Sequence, residues 1–341
     1  MSKPSRLNHT PKSLVNLLID LNGTLHVGDQ PTQGSLRALR KLREAQSQGR
    51  DRIRISFCSN TSKESTLSLH AKLMSMGFTR DLIPVTDLFT SLDATRRYCQ
   101  RMDFKRPLLL LSGSAQSTFE QAEEAKGGTG WKPFFPSTSK PPCRLTEEEH
   151  QTLRSCDSVV VGLAPEFMTH EWLNEAFRLL IGEYANQGEK DSRRVKLIAT
   201  HRALYHRPKE SSPLSLGPGT FIASLEISSK LDPKETAICG KPSKEFLQEC
   251  LEGMNKPQPG SDGNQPESSG KCIIIGDDVD QDLGGGALDL GFERILVKTG
   301  KYRPKDEERG SGRPPDSVFE SFSAWVDHFL DDEVRDLGPD L

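Results

Sequence analysis

The sequence predicts an α/β protein, with a doubly wound parallel sheet into which a second α/β unit is inserted. Apolar strand-like runs alternate with helix-like runs along the 341-residue chain, a pattern typical of parallel sheets flanked by helices. Four strand-like runs end in polar residues, at positions where open α/β sheets carry their ligand sites. The middle of the chain forms its own strand–helix group, and the last third returns to the pattern of the first. The first and last parts of the chain are therefore expected to build one sheet.

The first unit begins with an apolar run that ends at Asp20, and a turn containing Gly23 follows. A later apolar run ends at Ser59, and helix-like stretches fill most of the remainder. In chain order the predicted elements are a strand at 14–19, a helix at 36–48, a strand at 53–58 and helical regions at 64–76 and 81–101.

The middle unit contains apolar strands predicted at residues 107–111, 158–163 and 195–199. Between the last two, apolar residues recur at three- and four-residue spacing over residues 170–184, which predicts an amphipathic helix. This order again favours parallel strands with a helical crossover.

The last unit opens with a helix predicted over residues 221–229. Three strands follow it, at residues 236–239, 272–275 and 294–297. We expect all three to join the sheet that begins at the N-terminus, because they return to the pattern of the first unit.

Two segments read as insertions. Residues 123–140 are rich in Gly, Ser, Thr and Pro, and residues 255–270 are rich in Pro, Gly, Ser and Asn. Such compositions bury little apolar surface, so both segments are expected to be mobile surface loops.

Composition and charge argue against several classes of function. The formal net charge is −3 and no basic stripe is present, so we expect no nucleic-acid partner. The longest apolar runs are strand-sized, so we expect no membrane partner, and the N-terminus lacks a signal-peptide pattern. The seven cysteines are dispersed and form no CxxC pair, which indicates neither a disulfide framework nor a zinc site. A cytoplasmic location is the default expectation.

The polar residues at the strand ends match one kind of chemistry. They are Asp20, Ser59, Lys241 and Asp277, with Asp282 close behind. An aspartate can attack phosphorus, and further carboxylates can hold Mg²⁺. A hydroxyl and an ammonium group can then balance the charge on the phosphoryl oxygens. This combination predicts phosphoryl transfer.

Several stretches, most of them at predicted strand ends, carry a resemblance to a known family. They are residues 19–26 (IDLNGTLH), 59–65 (SNTSKES), 162–166 (GLAPE), 216–219 (LGPG), 240–242 (GKP), 276–278 (GDD) with Asp282, and 296–303 (LVKTGKYR). In this order they resemble the haloacid dehalogenase (HAD) superfamily of hydrolases. The resemblance covers most of the chain beyond the first dozen residues and the two inserts. It implies a Rossmann-like core with an inserted α/β cap of the C2 type, which covers the site and selects the substrate. The resemblance places the cap at residues 101–216, between core segments at residues 1–100 and 217–341.

The resemblance also implies a role for each site residue. Asp20 would be the nucleophile and a Mg²⁺ ligand, together with the backbone carbonyl of Asn22 and the carboxylate of Asp277. Lys241 would neutralise the nucleophile and the phosphoryl group. The remaining roles are phosphate binding by Ser59 and by backbone N–H groups near Asn22, Gly23 and Asn60, and support of the ligands from behind by Asp282 and Asp278.

Asn22 departs from the family pattern. Phosphatases of this family usually carry an aspartate at this position, which protonates the leaving group and then activates water. A carboxamide can do neither near neutral pH, and loss of a general acid/base commonly costs about 10²–10⁴-fold in rate. We therefore expect a preference for good leaving groups. His26 lies close behind, and either assists acid/base chemistry or packs in the turn.

The expected partner is a phosphorylated small molecule, pyrophosphate or a phosphorylated amino-acid side chain. On the cap, His201, Arg202, Tyr205 and His206 follow a predicted strand end, and either face the substrate or form a polar loop. A homodimer through the cap is compatible with this architecture.

Two other functions stay open at this stage. Because of Asn22, the chain could be a weakly active or inactive protein that senses phosphate or serves as a scaffold. It could also be a phosphotransferase that passes the phosphoryl group of the aspartyl-phosphate to another acceptor.

The acidic run from Asp278 to Asp282 has the spacing of the first ligands of an EF-hand calcium loop. Leu283, however, stands where that loop needs glycine, so the sequence argues against a calcium loop here.

Overall fold

The computed structural model describes residues 14–48, 53–124, 130–184, 195–209, 212–254, 270–309 and 312–335. The strands are β1 (Val15–Asp20), β2 (His26–Val27), β3 (Gln30–Pro31), β4 (Ile53–Ser59), β5 (Leu88–Thr90), β6 (Pro107–Leu110), β7 (Ser158–Val161), β8 (Lys196–Ala199), β9 (Tyr205–His206), β10 (Ser215–Leu216), β11 (Ala237–Ile238), β12 (Lys271–Gly276), β13 (Glu293–Val297) and β14 (Ser317–Phe319). The helices are α1 (Ser35–Ser47), α2 (Thr66–Ser75), α3 (Ser91–Arg101), α4 (Gly113–Glu124), α5 (Glu147–Arg154), α6 (His170–Leu180), α7 (Pro218–Ser229), α8 (Lys244–Met254), α9 (Gly286–Asp289), α10 (Asp306–Arg309) and α11 (Phe322–Arg335).

The larger sheet is parallel and has six strands in the order β14-β13-β12-β1-β4-β5. The central strand β1 pairs with β12 on one side and with β4 on the other. Because parallel strands end at the same edge, Asp20, Ser59 and Asp277 meet there. The predicted α/β fold with a parallel sheet is confirmed.

Both faces of this sheet are covered, as a parallel sheet requires. Alternate side chains of β1 point to opposite faces, so Leu17 and Ile19 pack toward α1, α2 and α11, whereas Leu18 packs toward α3 and α8. The buried site edge therefore lies between two helical layers that hold β1 in place.

The second sheet has four parallel strands in the order β11-β8-β7-β6. Its core contains Trp172 of α6 and Ile222 and Leu225 of α7. The strands predicted at residues 107–111, 158–163 and 195–199 are β6, β7 and β8.

One predicted strand joins the other sheet. We expected residues 236–239 to belong to the N-terminal sheet, but β11 pairs with β8, with Ala237 beside Ile198. Its two residues are too few to reveal a distant partner from sequence.

The unit boundary after residue 216 stays a prediction. The packing of α7 and β11 with the second sheet favours a boundary closer to Lys241.

The region predicted as helical at residues 81–101 is only partly helical. Its first part contains β5, which pairs with β4 at Phe57 and Ser59, and α3 follows. Thr90 caps α3 by accepting a hydrogen bond from Asp93 N at 3.2 Å. Pairing with a neighbouring strand thus overrides the local helical pattern.

The two predicted loops have different outcomes. Residues 125–129 and 255–269 lie outside the described residues. Residues 130–140 are packed, which contradicts a mobile loop there. Trp131 stacks on Phe119 with ring centroids 6.3 Å apart, and Phe134 N donates to Pro107 O at 2.8 Å. Two aromatic residues anchor this polar segment.

Within the described ranges, the helices are all too short or too polar to cross a lipid bilayer.

Candidate active site

Lys241 lies at the centre of the site, and its side chain is fully buried. Its Nζ is 2.5 Å from Asp20 Oδ1 and 2.8 Å from Asp282 Oδ1, and it donates to Cys58 O at 2.8 Å. Burial alone lowers the pKa of a lysine, but the two carboxylates outweigh burial and raise the pKa of Lys241. The ammonium group is therefore held charged beside the nucleophile candidate.

Asn60 fixes the backbone of this lysine. Its side-chain Oδ1 accepts from Lys241 N at 2.8 Å, and its Nδ2 donates to Lys241 O at 2.9 Å. We predicted only a backbone N–H role for Asn60. The structure adds this clamp, which joins the end of β4 to the segment after β11.

Asp282 anchors the cluster from behind. Its Oδ1 faces Lys241, and its Oδ2 accepts from the backbone N–H groups of Asp277 and Asp278, both at 3.1 Å. Burial, followed by the charge of Asp20, raises the pKa of Asp282 to about 6. Both oxygens already have partners, as expected for a residue that orients others.

Asp277 has the opposite character. Its Oδ2 accepts from Lys301 N at 2.5 Å, but its buried Oδ1 has no hydrogen-bond partner in the described part of the chain. Burial, reinforced by the neighbouring charges of Asp282 and Asp20, raises the pKa of Asp277 well above its usual range. An unpartnered buried carboxylate oxygen is costly unless a cation binds it.

The charge balance of the cluster fits a divalent cation. Ligand oxygens of Asp20, Asp277 and Asp282 lie within 4.8 Å of one another. In their ionised forms, the buried carboxylates of Asp20, Asp277 and Asp282 and the partly buried carboxylate of Asp278 are balanced by only the two ammonium groups of Lys241 and Lys301, which leaves a formal charge of −2 for this cluster. Hard oxygen ligands of this kind suit Mg²⁺.

The turn after Asp20 requires glycine. Gly23 has φ +110°, and a Cβ there would lie 2.1 Å from Asp277 Oδ2. The turn therefore packs directly against the carboxylate of Asp277. Thr24 Oγ1 donates to Asp20 Oδ2 at 3.2 Å, a contact that we did not predict.

One predicted phosphate donor is already used. Gly23 N donates to His26 O at 2.7 Å, so the prediction that it binds phosphate is not supported by its contacts. The turn closes on itself at this point. Ser59 is buried at the tip of β4 and, with Asn22 and Asn60, lines the adjoining cleft.

The cleft has a volume of about 160 Å³ and separates the two sheets at this edge. From the inserted unit, His201, Tyr205 and His206 line it, and their contact with the substrate stays a prediction. Arg202 does not. Its guanidinium pairs with the buried carboxylate of Glu226, away from the cleft, so its predicted substrate role is not supported.

Three histidines in the cleft are neutral near pH 7. Burial lowers the pKa of His26 to about 4, of His201 to about 3 and of His206 to about 4. His26 Nδ1 lies 3.0 Å from Gly28 O, and its buried Nε2 has no partner among the described residues. His26 is thus packed in the turn at the edge of the cleft, and one of its ring nitrogens has no partner among the described residues.

Lys301 was missed as a site residue, although it lies within one of the motif stretches. Its Nζ is 2.7 Å from Asp278 Oδ2, and its side chain lines the cleft. The signal was Gly300. It has φ +57°, and a Cβ at this position would lie 2.3 Å from Gly23 Cα, so the contact between the two turns requires glycine. Only the folded chain shows that this loop meets the catalytic turn.

Comparisons with known proteins agree with the motif pattern. Residues 17–125 match the family model described as haloacid dehalogenase-like hydrolase, and residues 238–325 match one described as HAD-hydrolase-like. The chain is 36% identical over 319 residues to human haloacid dehalogenase-like hydrolase domain-containing protein 2, covering 94% of this chain and 97% of that one.

Two further proteins are similar across most of the chain. The phospholysine phosphohistidine inorganic pyrophosphate phosphatase of Danio rerio is 28% identical, covering 94% of this chain and 95% of that one. The crystal structure of a 4-nitrophenylphosphatase from Thermotoga maritima superposes with a TM-score of 0.64 at 23% identity, covering 92% and 97% of the two chains. The resemblance stated from the sequence is confirmed.

Proposed function

Because this chain belongs to the haloacid dehalogenase-like hydrolase family, we propose that it is a magnesium-dependent phosphatase that works through an aspartyl-phosphate on Asp20. One observation carries most weight. Asp20 Oδ1 is held 2.5 Å from a fully buried lysine, beside a carboxylate oxygen of Asp277 that has no partner among the described residues. A nucleophile, a fixed positive charge and an incomplete cation site thus lie together.

Each side chain of the site has its own role in this reaction. Asp20 attacks the phosphorus atom, while Lys241 balances charge on the nucleophile and on the phosphoryl oxygens. Ser59 donates its hydroxyl to a phosphoryl oxygen. Asp20, Asp277 and the carbonyl of Asn22 would hold Mg²⁺. When bound, Mg²⁺ would supply positive charge to the phosphoryl oxygens.

Asn22 shapes substrate choice. It offers no titratable proton, so leaving groups that depart readily are favoured, such as phosphate from pyrophosphate, a carboxylate from an acyl phosphate, or the nitrogen of a phosphoramidate. The Danio rerio relative, whose name includes phospholysine, phosphohistidine and pyrophosphate, supports this substrate group. The partner is then a phosphorylated small molecule or a phosphorylated side chain.

Two broader properties belong to the proposal. All seven cysteines are free, which favours the reducing cytosol. Leu204, Leu216 and Ile227 expose apolar surface on the inserted unit, which favours a homodimer through that unit. Light scattering during gel filtration would test the dimer. A monomer at micromolar concentration would refute it.

The second candidate is a weakly active or inactive protein that binds phosphate as a sensor or scaffold. Asn22 is the observation that favours it. The packed arrangement of Asp20, Lys241, Asp277 and Asp282 favours the enzyme, because a buried charge cluster is costly to keep without a function.

The test is phosphate release with Mg²⁺ from pyrophosphate, phospholysine, phosphohistidine, acetyl phosphate and 4-nitrophenyl phosphate. Asp20→Asn is the matched control, since it keeps the shape of the side chain. Release that disappears in Asp20→Asn is expected. If wild type is silent and Asn22→Asp is active, the sensor candidate takes the lead.

A further inference from the structure

The Lys301 ammonium group lies between the acidic cluster and the inserted unit. On one side its Nζ is 2.7 Å from Asp278 Oδ2. On the other side its charge acts on His201 and His206, which belong to the inserted unit and line the same cleft. Lys301 therefore occupies the boundary between the nucleophile and the part of the cleft that receives the rest of the substrate.

The backbone and the side chain of Lys301 have separate tasks. Its backbone N–H donates to Asp277 Oδ2 at 2.5 Å, and Thr299 Oγ1 donates to Gly23 O at 2.5 Å. These contacts fix the loop against the catalytic turn without the ammonium group. The side chain takes no part in them, and it lines the cleft together with Asp20 and Asn22.

Asn22 leaves a chemical task unfilled. In the first step, Asp20 attacks phosphorus, the bond from phosphorus to the leaving oxygen breaks, and the electron pair stays on that oxygen. A general acid would neutralise this charge with a proton, and Asn22 has none to give. A fixed ammonium group can neutralise the same charge electrostatically.

We propose that Lys301 stabilises the leaving group in place of the missing acid, by placing its ammonium group against the departing oxygen. This inference rests on the proposed phosphatase function and assigns a residue to its leaving-group side. No proton changes hands. The leaving group departs as an anion, and total charge is conserved because the carboxylate of Asp20 becomes the acyl phosphate. Among the proposed substrates this role favours pyrophosphate and acyl phosphates, whose leaving groups depart as anions, over phosphoramidates, whose nitrogen departs as a neutral amine.

The inference predicts how rate depends on leaving-group basicity. The probes are 2,4-dinitrophenyl, 4-nitrophenyl and phenyl phosphate, in order of increasingly poor leaving groups. The readout is kcat/KM, which covers the steps up to aspartyl-phosphate formation. Lys301→Met should lower kcat/KM for phenyl phosphate by about 10²-fold, as for loss of one preorganised donor, with a much smaller loss for the dinitrophenyl ester. Lys301→Arg should recover part of the loss.

Two controls separate this role from a structural one. Lys298→Met removes a nearby lysine whose Nζ pairs with Glu320 at 2.7 Å outside the cleft, and should leave all three rates unchanged. Asp278→Asn removes the carboxylate partner but keeps the Lys301 ammonium group, and should not steepen the dependence on leaving group. The Mg²⁺-induced rise in melting temperature checks that each variant keeps its cation site.

Two results would overturn the inference while leaving the phosphatase in place. One is an equal loss in Lys301→Met for all three esters. The other is a steepened dependence in Asp278→Asn that matches Lys301→Met, which would mean that Lys301 acts only by holding Asp278. A wild-type protein without Asp20-dependent release would overturn the proposed function itself, and the inference with it.

Discussion

Replacing Lys241 with methionine removes the buried ammonium group while keeping most of the side-chain volume. In the wild type, Nζ lies 2.5 Å from Asp20 Oδ1 and 2.8 Å from Asp282 Oδ1. The side chains of Asp20 and Asp282 are at most 7% exposed, so water cannot replace the lost partner. Removing one member of a buried ion pair costs about 3–5 kcal/mol, because the remaining charge stays desolvated. We expect a loss of that size in the unfolding free energy at about pH 8.

The pH dependence distinguishes this electrostatic loss from a packing defect. Without Lys241, burial and the charge of Asp20 hold the pKa of Asp282 above its unfolded value of about 4. A carboxyl group with a raised folded-state pKa destabilises the fold above that pKa, and the penalty fades as pH falls through it. The pKa of Asp282 is about 6 even with Lys241 present. The deficit of Lys241→Met should therefore shrink between about pH 8 and about pH 5.

Urea denaturation followed by tryptophan fluorescence, at both pH values, measures this deficit. Lys298→Met is the matched control, because its Nζ pairs with Glu320 at the surface. Its unfolding free energy should stay close to that of the wild type, because an exposed ion pair contributes little to stability. A Lys241→Met deficit that is equally small, or one that is the same at both pH values, would refute the reasoning.

Three further predictions concern the turn, the clamp and the misplaced arginine. Gly23→Ala places a Cβ 2.1 Å from Asp277 Oδ2 at φ +110°, so the Mg²⁺-induced rise in melting temperature should disappear, and a rise equal to wild type would contradict this packing. Asn60→Ala removes two hydrogen bonds to the backbone of the catalytic lysine, worth about 0.5–1.5 kcal/mol each. It should lower kcat but largely keep the Mg²⁺-induced rise in melting temperature, and an unchanged kcat would count against the clamp. Arg202→Ala removes the ion-pair partner of the buried Glu226, whose carboxylate keeps a hydrogen bond from the Thr236 hydroxyl, and should cost about 3–5 kcal/mol of unfolding free energy by urea denaturation. KM should stay unchanged because Arg202 lies outside the cleft, and a raised KM would show that Arg202 contacts the substrate.

The site was predictable where it depends on strand ends. Asp20, Ser59 and Asp277 each follow an apolar run, and parallel strands bring such ends to one edge. Their convergence follows from strand order, so short-range patterns were sufficient. The ion pair between Asp20 and Lys241 joins positions 221 residues apart, and only the family resemblance suggested it.

The remainder depends on contacts that short-range patterns do not encode. The two residues of β11 do not indicate which sheet they join. The sequence of β5 fits a helical pattern, and only its pairing with β4 makes it a strand. The side chain of Asn60 acts on a backbone that is distant in sequence, so residue type alone could not predict the clamp. Lys301 stood in a recognised motif, but its place in the cleft follows only from tertiary packing.

In the proposed reaction, Asp20 becomes phosphorylated during turnover. The direct measurement is to mix the enzyme with Mg²⁺ and acetyl phosphate that carries radioactive phosphorus, to quench the reaction rapidly with acid, and to map the labelled peptide. Label is expected on the peptide that contains Asp20, at a rate at least equal to kcat, and it should be absent in Asp20→Asn. Phosphate release at the wild-type rate with no labelled peptide, or undiminished in Asp20→Asn, would contradict it.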